Sequence, residues 1–263
     1  MTYRVCAFNT ATASTNKIHD DAVAQRLGFR GGLVPGVDVY AYLCHVPAER
    51  WGRTWLESGA IKARFTSPVY DGDDVEVRAA WEGDDHVELA LVDSAEMCCA
   101  TATATLVRTP PPVPAASGWP SGPLPDHCPA ASLMSLTAVP FGSIEARFHA
   151  DRAIEYLDDV REQLALFRDE GLAHPGWLLR FANYVLSSNV ALGPWIHVAS
   201  SVQLLGAVAD GDLVETRALV TDVYERGGHR FVDLDVLQLV GDRPVTRAAH
   251  TAIYEPRGTR QAG

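Results

Sequence analysis

The chain has 263 residues, room for two domains of ordinary size, and its 47% hydrophobic and 21% charged content is that of a globular protein. A formal net charge of −11 argues against nucleic acid as a partner and obliges any anionic ligand to find a local basic patch. Five cysteines, odd in number and without a Cys-x-x-Cys pair, read as reduced and mostly buried thiols. With no basic-then-apolar leader and no apolar run of ~20 residues, the expectation is a cytoplasmic protein without a membrane partner.

In chain order, Arg4–Phe8 reads as a first strand. The segment Ser14-Thr15-Asn16-Lys17-Ile18-His19-Asp20-Asp21 precedes a short helical stretch, Ala22–Leu27, with Asp20 or Asp21 as its cap. Pro35-Gly36 then opens an apolar stretch through Val37, Val39, Tyr40 and Leu43. Proline is tolerated in a first helical turn because its missing N–H had no helical acceptor, and Asp38 in that turn suits the helix dipole. Alternation over Ile61–Phe65, Val75–Arg78 and Val87–Leu91 predicts strands, with a turn at Asp71-Gly72-Asp73 and a closing strand over Thr101–Val107.

Eight of the sixteen prolines lie between Pro110 and Pro129. Such a stretch sustains neither helix nor central strand, so 109–135 reads as a semi-rigid linker between 1–108 and 136–263. Beyond it, Ile154, Leu157, Val160, Leu164 and Phe167 recur at helical steps and predict one amphipathic helix. Pro175-Gly176 opens a helix apolar on nearly all sides, Trp177–Leu186. Strands over Val214–Val220, Phe231–Leu239 and Thr246–Tyr254 complete the half.

The halves repeat one another. Asp71-Gly72-Asp73 recurs 139 residues later at Asp210-Gly211-Asp212, Pro35-Gly36 recurs 140 later at Pro175-Gly176, and Arg4–Phe8 aligns with Ile144–Phe148, also 140 apart. Each half is then a strand, a helical segment, a buried helix and antiparallel strands. A sheet curled around one apolar helix buries both, which is the hot-dog arrangement. The predicted fold is α+β, two hot-dog domains in tandem, able to form a pseudo-dimer within one chain and a homodimer with a second copy.

Asn16, Ile18, His19 and Asp21 stand in register with a known pattern, followed at the right distance by Gly28-Phe29 and Leu33-Val34-Pro35-Gly36. Together with Phe65-Thr66-Ser67-Pro68-Val69-Tyr70-Asp71-Gly72-Asp73 they resemble the signature of the MaoC-like family, the R-specific enoyl-CoA hydratases and related dehydratases. The resemblance covers most of the first half closely, and the second at fold level only. It implies an acyl thioester of coenzyme A or a carrier protein as substrate, hydration or dehydration at the 2,3-position, and no cofactor apart from that carrier. The family's pattern places a catalytic Asp five residues before the His, and often a His where this chain has Pro35. Here the first position is Ser14, whose neutral hydroxyl cannot act as a base at pH 7, and a positioned acid/base is worth about 10²–10⁴-fold.

The remaining chemistry assigns His19 as acid/base, because its side chain titrates near neutrality. The amide of Gly36, at a helix N-terminus, is the donor to a thioester carbonyl, worth about 3 kcal/mol in a dry site. Asn16 and Ser14 are candidates to orient His19 or hold water. Val34, Pro35, Asp38, His174 and Asn183 are candidates to line the substrate site. Structural roles compete at several of these: a helix start for Asn16–Asp21, a cap for His174, buried amide pairing for Asn183 and Asn189, and core packing for Trp177, Phe181 and Trp195. The second half has no Asn-x-x-His counterpart. Two further functions stay open: a thioesterase on the same fold, with Asp38 as its carboxylate, and a non-catalytic acyl-thioester-binding or partner protein. Neither metal-ligand spacing nor a phosphate-binding loop is present.

Overall fold

The computed structural model describes residues 2–107, 109, 112, 115–138 and 140–259. Pro110, Pro111, Val113 and Pro114 of the expected linker lie outside the described residues. The first half contains β1 (Thr2–Cys6), α1 (Asp21–Arg26), α2 (Gly36–Ser58), β2 (Gly59–Phe65), β3 (Asp74–Trp81), β4 (His86–Asp93) and β5 (Cys98–Leu106). The second contains α3 (Leu133–Thr137), β6 (Ile144–Arg147), α4 (Ala150–Asp159), α5 (Ala165–Arg168), α6 (Pro175–Asn189), β7 (Ile196–Leu204), β8 (Leu213–Arg226), β9 (His229–Val240) and β10 (Arg243–Glu255).

These strands form one antiparallel sheet in the order β1-β3-β4-β5-β2-β7-β10-β9-β8-β6. The halves meet edge to edge at β2 and β7, from Ala60 opposite Gln203 to Arg64 opposite Ala199. The strand chemistry shows why the sheet closes on helices. In β5 the buried Ala100, Ala102 and Ala104 present small side chains toward α2, while Thr101, Thr103 and Thr105 supply β-branched residues to the other face. Helix α2 is buried continuously from Val37 to Ala48 and packs beside α6, so one apolar core spans both halves. Gly52, at φ 57°, kinks α2 before its last turns, a conformation that glycine adopts without steric cost.

The duplication is visible in matching hydrogen bonds. Ala7 N–H donates to the Asp73 carbonyl at 2.8 Å, as Phe148 N–H does to that of Asp212 at 2.8 Å. Val34 N–H donates to the Val69 carbonyl at 2.8 Å, and Ala173 N–H to that of Val208 at 2.8 Å. These pairs correct two of the sequence matches by one residue. Phe148 is the counterpart of Ala7 rather than Phe8, and His174 rather than Pro175 is the counterpart of Pro35. In a strand a slip of one residue exchanges the faces, so burial of Val5 fixes the register that composition alone misplaces.

Two other expectations change, the single helix and the burial of the cysteines, and the linker gains detail. The amphipathic helix is two pieces, α4 and α5. Between them Arg161 takes φ 58°, and the buried Glu162 carboxylate accepts the N–H groups of Gln163 (2.7 Å) and Leu164 (2.8 Å), turning the chain. The proline-rich stretch is packed where it is described: Trp119 is buried against Leu237 and Leu239, its Nε1 donates to the Asp235 carbonyl at 3.0 Å, and α3 begins inside it. The five cysteines are free, but only Cys44 and Cys99 are buried. Among the described residues no helix is long and apolar enough to cross a membrane.

Candidate active site

The site begins with how the loop after β1 is held. Asn9 N–H donates to Asp71 Oδ1 at 2.8 Å, and its side-chain amide donates to the His19 carbonyl at 3.1 Å. Asn16 caps a 3-10 turn, Lys17–His19, its Oδ1 accepting from Ile18 N–H, and Ile18 is buried with Ala24 and Leu33. Asp20 caps α1 through Val23 N–H at 3.0 Å. Asp21 instead accepts from Gly32 N–H at 2.7 Å, which draws the returning Gly31-Gly32-Leu33 strip onto His19. Only glycine fits at position 32, where a Cβ would collide with the His19 carbonyl.

That strip sets the state of His19. The Leu33 carbonyl can only accept, and it lies 2.7 Å from His19 Nδ1, so Nδ1 carries the hydrogen and Nε2 carries the lone pair. Burial lowers the His19 pKa below the ordinary histidine value, against the opposing pull of the Leu33 hydrogen bond and Asp38. The ring is therefore neutral at pH 7. Its Nε2 lies 3.4 Å from the Asn16 side-chain nitrogen. Asn16 is itself fixed across the seam between the halves: its Nδ2 donates to the Trp195 carbonyl at 3.0 Å and its Oδ1 accepts from Trp195 N–H at 3.2 Å.

His19 and Asn16 open onto a cavity of about 300 Å³. Gly36 lines it at the N-terminus of α2, where the cap residue Pro35 offers no side-chain acceptor to the first amides. Most of the wall is apolar, including Val34, Val39, Phe65, Val69, Ile196 and Ile253. A few polar groups in an apolar cavity is the usual make-up of a small-molecule site.

The structure brings together Asn16, His19, Val34, Pro35, Gly36 and Asn183 on this cavity. It leaves out three candidates. Ser14 Oγ accepts from Asn16 N–H at 3.1 Å and shapes the turn rather than lining the cavity. Asp38 is fully buried, held by Arg180 at 2.8 Å and by the Thr10 hydroxyl at 2.6 Å. His174 caps α6 by accepting Gly176 N–H at 3.0 Å, with its Nε2 3.5 Å from Glu162. This difference at equivalent positions makes the halves unequal. The α6 N-terminus is closed by a ring nitrogen, with Tyr156 of α4 and Ala41 against Gly176, whereas the α2 N-terminus faces the cavity.

Sequence reasoning missed Trp195 as a lining residue and the whole of β7, which contributes Ile196, His197 and Val198 to the wall. Trp195 is buried yet also faces the site, so core and pocket were not exclusive. The signal for β7 was the repeat itself, since a counterpart of β2 had to follow α6.

No family model matches the chain, and no curated protein matches it. Solved structures do. Over 97% of its length the chain is similar to 98% of a MaoC-like dehydratase, at 13% identity and a TM-score of 0.59. A conserved hypothetical protein of Mycobacterium tuberculosis with a double hotdog fold matches 96% of this chain over 95% of its own, at 13% identity and a TM-score of 0.55. A protein of Novosphingobium aromaticivorans DSM 12444, whose name proposes a thioesterase, matches 85% of this chain over 88% of its own, at 15% identity and a TM-score of 0.53. At these identities the likeness is one of architecture: the chain is an α+β double hot-dog, a pseudo-dimer built within one polypeptide.

Proposed function

We propose that the protein is an acyl-thioester enzyme that adds or removes water across the 2,3-bond of a thioester of coenzyme A or a carrier protein. The observation that carries this reading is the fixed tautomer of His19. With Nδ1–H committed to the Leu33 carbonyl, the basic Nε2 carries only a long 3.4 Å contact from the Asn16 amide, and both residues line the cavity that Gly36 also lines. The apolar wall suits an acyl chain. A carbonyl placed against the α2 N-terminus meets amide hydrogens and the positive end of the helix dipole, which favour the enolate-like charge on the way to product. His19 takes the proton from water and returns it to carbon in hydration, and the reverse in dehydration. No cofactor beyond the thioester carrier is required by this scheme.

The geometry supports a thioesterase less well, because the Asp38 carboxylate is engaged by Arg180 and Thr10 and does not line the cavity. The deciding experiment supplies 2-enoyl-CoA and 3-hydroxyacyl-CoA series and follows both product and free thiol. Hydration without thiol release, abolished in His19→Ala, is the expected result. Thiol release from saturated acyl-CoA would replace the proposal with hydrolysis, and tight binding without turnover would replace it with a binding function.

A further inference from the structure

The cavity that His19 lines carries, from the second half of the chain, another polar unit for which the scheme above has no use. Strand β7 supplies His197 and Ser200, and β10 supplies His250, directly opposite Ser200. Residues three apart on a regular strand point to opposite faces. Here the pairing runs from Thr251 opposite Ala199 to Ala252 opposite His197, leaving Val198 as an extra residue. This bulge turns His197 to the side that Ser200 already occupies, and bulges commonly re-aim a side chain next to a site. His197 Nε2 lies 2.8 Å from Ser200 Oγ, and Ser200 Oγ lies 2.9 Å from His250 Nδ1.

The tautomer of His197 follows as it did for His19. Its Nε2 is also 3.2 Å from the Ala199 carbonyl, which can only accept, so Nε2 carries the hydrogen and Nδ1 the lone pair. His197 is only 6% exposed, yet Nδ1 has no hydrogen-bond partner among the described residues. It is aimed at the first turn of α2, since a Cβ on Gly36 would lie 2.9 Å from it. Asn183 Oδ1 on the same cavity is likewise buried without a partner. Buried polar atoms are nearly always paired, and leaving one unpaired costs about 1–3 kcal/mol. The two buried acceptors without a partner, His197 Nδ1 and Asn183 Oδ1, belong to residues that line the same cavity as His19, and an occupant that brings O–H or N–H groups would pair them.

We propose that His197 is the second acceptor at the reacting centre, holding one O–H of the attacking water while His19 holds the other. This rests on the hydratase reading above. Water has two hydrogens, and an acceptor from each half of the chain would turn its lone pair toward carbon 3 of a bound enoyl thioester. In hydration the water oxygen bonds to carbon 3 and the O–H bond facing His19 breaks, its proton passing to Nε2. The carbon 2–carbon 3 π pair moves onto the enolate oxygen beside Gly36 N–H, and the His19 imidazolium returns the proton to carbon 2. His197 keeps its hydrogen bond to the oxygen that becomes the 3-hydroxyl and is never protonated, in keeping with the burial and neighbouring His250 that hold its pKa well below the ordinary value. Ser200, bridging His197 and His250, is a positioning residue that holds the ring, while the Ala199 carbonyl fixes its tautomer. In this arrangement His197 supplies an acceptor where the chain, with Ser14, lacks the family's carboxylate.

The test compares wild type, His19→Ala, His197→Phe and His197→Asn on crotonyl-CoA and longer 2-enoyl-CoA thioesters. Phe keeps the ring packed against Phe65 and His250 but cannot accept. His197→Phe is expected to lose roughly ten- to a hundredfold in kcat, the worth of one hydrogen bond in a dry site, with KM nearly unchanged. His197→Asn, which presents an acceptor at the same place, is expected to recover part of that loss. Nitrogen-15 spectra of the histidine rings in His19→Ala are expected to show His197 Nδ1 shifting when 3-hydroxybutyryl-CoA is added. Wild-type inactivity on all thioesters would sink the functional reading and this proposal with it. An active wild type with an inactive His19→Ala and an unimpaired His197→Phe would overturn the role of His197 alone. Should His197→Phe fail to fold, the Asn variant and the spectra decide: full activity in His197→Asn with an unmoved Nδ1 resonance overturns the proposal.

Discussion

Replacing Asp38 with alanine removes the carboxylate that meets the Arg180 guanidinium in a largely dry setting. Asp38 is fully buried and the Arg180 side chain is 18% exposed. Arg180 reaches Oδ1 through Nη2 at 2.8 Å and Nε at 3.2 Å, and Thr10 Oγ1 donates to Oδ2 at 2.6 Å. Removing one member of a buried pair strands the other charge and typically costs about 3–5 kcal/mol. A chain of this size loses about 2–4 °C of melting temperature per kcal/mol, so Asp38→Ala should melt about 6–20 °C below wild type. Taking away both partners, as in Asp38→Leu with Arg180→Met, should recover most of the loss, because no unpaired charge remains. Urea or thermal unfolding of Asp38→Leu, Arg180→Met and the double variant forms a complete cycle. A single variant within about 0.5 kcal/mol of wild type, the usual spread of surface substitutions, would refute the buried ion pair. The same position separates structure from chemistry: Asp38→Asn, if folded, should keep its hydration activity, whereas a thioesterase using that carboxylate would lose all thiol release.

Acid should unfold the protein early. Burial drives the pKa of His250 down to about 3 from 6.5, and His197 and His19 shift the same way. The unfolded chain then binds more protons than the folded one, so the stability these neutral rings represent is complete above about pH 6.5 and is lost as pH falls toward the folded values, roughly 4–5 kcal/mol from His250 alone by pH 3. Denaturation at a series of pH values measures this, and a flat profile between pH 7 and 5 would contradict it. The acid limb of the rate profile should also fall below the ordinary histidine value, since His19 stays neutral there. Gly36→Ala sets a methyl 2.9 Å from His197 Nδ1 and should lower kcat/KM by up to about a hundredfold through misplacement; an unchanged value would deny the close approach. Asn16→Ala leaves the buried Trp195 peptide groups unpaired and should cost about 2 kcal/mol in urea unfolding, together with slower turnover.

Much of the architecture was legible because it rests on periodicity. The alternation in β2 to β5 and the all-apolar helix after Pro175 dictated a sheet wrapped on helices, and the repeated Asp-Gly-Asp turns announced two copies. What composition could not give was register. Pro35-Gly36 and Pro175-Gly176 match as letters, but hydrogen bonding sets Pro35 beside His174, and that one-residue difference decides which helix end is open. The site was half legible for a similar reason. Asn16, His19 and Gly36 lie close in sequence, so local pattern brings them together. His197 lies 161 positions after Gly36 and reaches it only through the β2–β7 seam and a bulge.

The contact of Asn16 with the Trp195 backbone has a consequence for how ligand is counted. The pocket is assembled from both halves, since Gly36 and His19 come from one and Trp195, His197 and Asn183 from the other. Neither half cut free would carry a complete pocket. The equivalent place at the α6 N-terminus is filled by His174 and Tyr156, so a titration should saturate at one ligand per polypeptide rather than two. With both halves in one chain, the second serves as the far wall of the cavity that the first half opens.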